Sequence, residues 1–193
     1  MEIRRVKKHD VDMTLGSVFR HLLNFAVPLL MGNIFQQLYN TVDTWVVGNY
    51  VSNEAFSAVG TVAPIINTLI GAFSGLASGA GVVISQYYGA GRHDRVKDAV
   101  HTAVMMTLVL SVAFTAIGIA MTPNMLRLMK TPAEVFPESR AYLNIYFSGM
   151  AGLMLYNMGA GILRAVGDSK RPFYYLVCAA VINTVLDLVF VIA

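Results

Sequence analysis

Long stretches without a charged side chain alternate with short charged ones along this chain. No Asp, Glu, Lys or Arg occurs over residues 22–42, 55–91 or 99–126. A helix in the core of a soluble protein needs a polar face, so uncharged runs of this length read as transmembrane spans. The pattern predicts an all-α, polytopic membrane protein with spans over about 18–47, 54–88, 99–120, 141–163 and 173–193, behind a polar head over 1–17. The block 54–88 would be about 50 Å long as a helix, beyond the roughly 30 Å hydrocarbon layer, so it tilts, bends at Pro64 or projects from the membrane. Residues 124–129, in the longest polar link, are expected to form a short amphipathic helix at the interface. Gly71, Gly75 and Gly79 recur every four residues and predict a small-residue face, used either for plain packing or for sliding.

Composition agrees with this pattern: 56% of residues are hydrophobic and 13% charged, against about 25% charged in soluble domains. The formal charge of +3 would suit a nucleic-acid partner, but the basic residues fall between the apolar blocks and not on one helical face. Their partner is the lipid bilayer, with no nucleic acid. Of the 14 Lys and Arg, all but Arg127, Lys130 and Arg140 fall on one side of the expected topology. By the positive-inside rule the N-terminus is cytoplasmic and the end at Ala193 lies outside. Apolarity continues past any short leader, so the first segment reads as a retained helix. The single Cys178 excludes an intrachain disulfide and reads as packing.

Polar side chains inside the spans are the candidate chemistry. Gln36, Asn40 and Asp43 follow at spacings of four and three, so a helix stacks them on one face, and a carboxylate facing lipid would cost several kcal/mol. Asn183 and Asp187, four apart, share a face of the last span. Counted from the cytoplasmic side, Asp187 lies about 21 Å along its helix and Asp43 also reaches the outer half. Two carboxylates and an amide at one depth suit a proton or a hard cation. Plainer readings stay open: Asp43 as a loop aspartate, and Asn183 with Asp187 as helix glue. Asn144, Tyr146 and Asn157 could line a cavity or simply pack. Pro28 predicts a bend, fixed or moving.

Pro28 with Asp43, the run AVGTVAP over 58–64, SQYYGAGR at the end of the second block, GILRAVGDSKRP over 161–172 and the Asn183/Asp187 pair together resemble the multidrug and toxic compound extrusion (MATE) transporters. The bacterial branch related to the DNA-damage-inducible protein F is the nearest in pattern. The resemblance implies a twelve-helix, two-lobe fold in a bacterial cell membrane, of which this chain is like helices one to five. It implies export of drugs or organic cations in exchange for protons or sodium, with that ion transported and no cofactor. Asp43, Asn183 and Asp187 then match the coupling site, Pro28 the hinge, and Gln36, Asn40, Asn144, Tyr146 and Asn157 the possible cavity lining. The missing C-terminal part of the same transporter is an expected partner. The alternatives are a lipid-linked-precursor flippase, which would want several arginines in its cavity, and a non-transporting scaffold. No intramembrane His pair, Ser-His arrangement or metal motif points to an enzyme.

Overall fold

The computed structural model describes residues 17–192, all of whose regular structure is helical: α1 (Val18–Tyr50), α2 (Asn53–Gly89), α3 (His93–Leu128), α4 (Phe136–Ser148), α5 (Met150–Ala165) and α6 (Lys170–Ile192). The head expected over 1–17 lies, apart from Ser17, outside the described residues. Two expectations are corrected. Residues 124–129 are not a separate interfacial helix: α3 runs through Pro123 to Leu128. The span expected over 141–163 is two helices, divided at Gly149.

That division has a local cause. Thr115 Oγ1 of α3 donates to the Phe147 carbonyl at 2.9 Å, and the Gly149 N–H turns back to the Ile145 and Tyr146 carbonyls at 3.1 Å. An oxygen at the break therefore finds its partner on a neighbouring helix, which makes the interruption tolerable where water is scarce. By length and apolarity alone, α2 and α3 each suffice to cross a bilayer. Helices α4 and α5, of 13 and 16 residues, are each shorter than the roughly 20 residues that a crossing needs.

The turns fix where each helix starts. Ser52 accepts from the Ala55 N–H at 3.1 Å and caps α2. Gly91, with φ of 69°, closes α2 by letting the Arg92 N–H reach the Tyr87 carbonyl at 3.0 Å. Between α5 and α6, Gly167 has φ of 88° and Asp168 Oδ1 accepts from the N–H groups of Lys170 and Arg171, both at 3.1 Å. Asp168 Oδ2 also meets Arg171 Nε at 3.2 Å. Asp168→Ala is expected to lower stability by about 1 kcal/mol, since the first N–H groups of α6 lose their acceptor. Thermal unfolding in detergent checks it, with Asp168→Asn expected to retain most of the cap.

Helix α2 packs most extensively on α5, and α3 lies against both α4 and α5; α1 pairs chiefly with α6. The core, Val62, Phe73, Leu126, Leu143, Phe147, Met150 and Met154, belongs to α2 through α5. Met150, Met154 and Met158 form one buried stripe at four-residue steps along α5. Helix α3 answers with Ala103, Thr107, Ser111, Gly118 and Thr122, whose hydroxyls bond back to the carbonyls of Ala103, Leu108 and Gly118. Small residues with internally satisfied hydroxyls let helices approach closely without stranding a polar group.

The glycine face expected on α2 is not where the described helices of this chain meet. A Cβ at Gly71, Gly75 or Gly79 would have nothing within 4 Å. The close approach runs through Ala77 and Gly81 instead: a Cβ on Gly161 would lie 3.0 Å from the Ala77 carbonyl oxygen, and one on Gly81 would lie 3.5 Å from the Gly161 oxygen.

Candidate functional site

The pairing of α1 with α6 brings two of the expected site residues together. The Asn183 amide, oriented with its nitrogen toward the carboxylate, donates to Asp43 Oδ1 at 2.9 Å and Oδ2 at 3.3 Å. Both side chains are half-buried. Asn183 stands 13 residues from the Asp168-capped start of α6, so the turn that fixes Lys170 also fixes the amide's height, about 20 Å along the helix. Thr41 and Thr44 flank Asp43, but their hydroxyls go to the carbonyls of Gln37 and Asn40, both at 2.8 Å. Asp187 belongs to α6 one turn beyond Asn183, and its side chain lies outside the described residues.

Between the α1–α6 pair and the α2–α5 pair lies a cavity of about 280 Å³. Pro28, Gln36 and Asn157 are on its wall. Asn40, Asn144 and Tyr146 are not among the described residues lining it: Asn40 is exposed, and the Asn144 amide oxygen is buried without a partner among the described residues. Pro28 sits within an unbroken α1, where its ring removes one backbone donor.

Three residues that sequence reasoning passed over belong here: Tyr39, Tyr156 and Arg164. Tyr39 stands one turn from both Gln36 and Asp43 along α1, at spacings of three and four. The inward face of α1 therefore runs Gly32, Gln36, Tyr39, Asp43, Val46, with steps of four, three, four and three. Gln36, Asn40 and Asp43 also satisfy helical spacing, and polarity drew attention to Asn40; the buried Val46, 1% exposed, and the buried Gly32 mark which row faces inward. Tyr156 on α5 donates to the Pro172 carbonyl at 3.4 Å, tying α5 to the start of α6.

A half-buried carboxylate with an amide donor at 2.9 Å can hold a proton or contribute hard oxygen ligands to a small cation. Gln36 and Tyr39 are on the cavity wall, and Asp43 and Asn183 lie one turn beyond the wall residues Tyr39 and Ala179.

The chain matches the family model MatE over residues 28–189. It is 38% identical over 170 residues to the probable multidrug resistance protein YoeA of Bacillus subtilis, an alignment covering 88% of this chain and 37% of that protein. It is 32% identical over 180 residues to the probable multidrug resistance protein YpnP of the same organism, covering 93% and 40%. Among solved structures, it resembles an outward-facing multidrug resistance MATE family transporter of the MOP superfamily with a TM-score of 0.88 at 25% identity, covering 95% of this chain and 41% of that one. The chain thus spans about two fifths of the length of these relatives. With the match running from Pro28 past Asp187, the chain belongs to the MatE family of multi-pass membrane transporters.

Proposed function

We propose that this chain supplies the first five spans of a secondary active efflux transporter, with Asp43, Asn183 and Asp187 forming the ion-coupling site of its N-terminal lobe. The observation that carries this reading is the Asn183 to Asp43 hydrogen bond, which joins an ionisable group and an amide on paired helices, one turn beyond the cavity-wall residues Tyr39 and Ala179. Inward flow of protons or sodium through the acid site would drive export of drugs or organic cations through a cavity completed by the C-terminal part of the transporter. The multidrug resistance relatives support export over the lipid-precursor flippase. The basic loops support a cytoplasmic N-terminus, and α4 with α5 would make a single crossing.

The test is reconstitution of the complete transporter in vesicles loaded with a fluorescent organic cation. Efflux driven by an imposed pH gradient without sodium assigns protons as the coupling ion, and efflux requiring a sodium gradient assigns sodium. Transport that proceeds at one rate with and without both gradients would sink the antiport reading.

A further inference from the structure

The cavity is electrostatically lopsided. Among the described residues, its wall includes Arg164 and no Asp or Glu. Arg164 sits in the last turn of α5, half-buried, and makes no ion pair among the described residues. The nearest carboxylate in sequence, Asp168, is engaged by Arg171 and by two backbone N–H groups of α6. Lys170 and Arg171 add positive charge to the same turn.

Helix capping does not account for Arg164. The last carbonyls of α5 already have partners: Ile162 and Leu163 accept from Val166, Leu163 also accepts from Asp168, and Arg164 accepts from Gly167. The same wall carries the buried Ser169 and the hydroxyl-bearing Tyr156. The rest of the wall includes Leu29, Leu153, Phe173 and Leu176. A half-buried guanidinium is a planar fork suited to two oxygens of a carboxylate or phosphate, and holding it without a counterion is costly.

We propose that Arg164 forms an anion subsite at this end of the cavity, holding the carboxylate or phosphate of an amphiphilic solute whose apolar body lies along α1 and α6. The proposal rests on the transport reading and deepens it: the solutes bound best carry an acidic group at one end. The volume of about 280 Å³ is at the small end of ligand pockets, so it takes the acid-bearing part of a larger molecule.

The test uses the purified complete transporter with two probes, a rhodamine free acid and the methyl ester of the same dye, titrated by fluorescence anisotropy. Arg164→Gln is expected to weaken the acid by about tenfold more than the ester. Arg164→Lys is expected to recover part of that difference through its charge, and inorganic phosphate should displace the acid dye from wild type. A second arm assays the phospholipid phosphorus that stays with the protein through detergent exchange. Loss of that phosphorus in Arg164→Gln, with both dyes affected alike, keeps the anion site but assigns it to a lipid headgroup. Equal weakening of both dyes with unchanged phosphorus, or no change in any readout, overturns the subsite. Cation efflux from vesicles of the same preparations reads the antiport separately, so it can stand while the subsite falls.

Discussion

Asp43→Asn in the complete transporter is expected to reduce gradient-driven export to the uncoupled background while the protein still inserts and folds. The substitution keeps the side chain's size and a carbonyl oxygen that can accept from Asn183, which lies 2.9 Å from Asp43 Oδ1. Exchanging a charge-assisted hydrogen bond for a neutral one costs about 1 kcal/mol, and burying an amide in place of a carboxylate offsets part of it. Stability therefore changes little. What disappears is the charge that a proton or sodium ion neutralises, and with it any differential binding of that ion. Asp187→Asn should act in the same direction. Drug efflux under an imposed gradient, measured beside the amount of protein in the membrane, checks both. Wild-type rates from both amide variants would return Asp43 and Asn183 to a role in holding α1 against α6.

The same pair shows how far the sequence reaches. Charge-free blocks separated by basic turns were enough to read an all-helical membrane protein, because the cost of a lipid-exposed charge acts on every residue of a span. Counting rise per residue put Asp187 and Asp43 only in the same half of the membrane; it is the pairing of α1 with α6 that sets the Asn183 amide 2.9 Å from Asp43 Oδ1. Which row of α1 faces inward was harder. Gln36, Asn40, Asp43 and Gln36, Tyr39, Asp43 are both helical rows, and only packing against α6 separates them. Inside a membrane, apolarity no longer marks the buried face, since lipid accepts Leu30 and Ile34 as readily as a neighbouring helix does.

Small residues left their neighbours open for a related reason. Gly71, Gly75 and Gly79 form the more regular series, yet Gly118 and Gly161 are the ones that neighbours press against. A glycine can mark a tight contact or an open surface, and its spacing alone does not say which. The break at Gly149 was invisible because the residues directly before and after it, 143–147 and 150–155, carry no charge. Its stabilising donor, Thr115, is 32 residues away in sequence.

Gly118→Ala is expected to destabilise the bundle by about 1–3 kcal/mol or more, although alanine is ordinarily the better helix former by about 1 kcal/mol. The added Cβ would fall against Cδ1 and Cε1 of the Phe147 ring, too close for the ring to stay where it is. Phe147 is 1% exposed and packed in the core, so it cannot turn into free space. Its backbone carbonyl is held by Thr115, three residues before Gly118 on α3. Moving the ring therefore strains the junction at Gly149 that sets α4 against α5, and α5 carries Asn157 and Arg164 into the cavity wall. Phe147→Leu should reverse part of the loss, because a shorter side chain vacates the space that the new methyl needs. The two changes are then coupled, and the double variant should be more stable than Gly118→Ala alone. Thermal unfolding of the four proteins in one detergent decides it. A Gly118→Ala variant as stable as wild type, or losses from the two substitutions that simply add, would mean the ring has another place to go and the contact does not fix the junction.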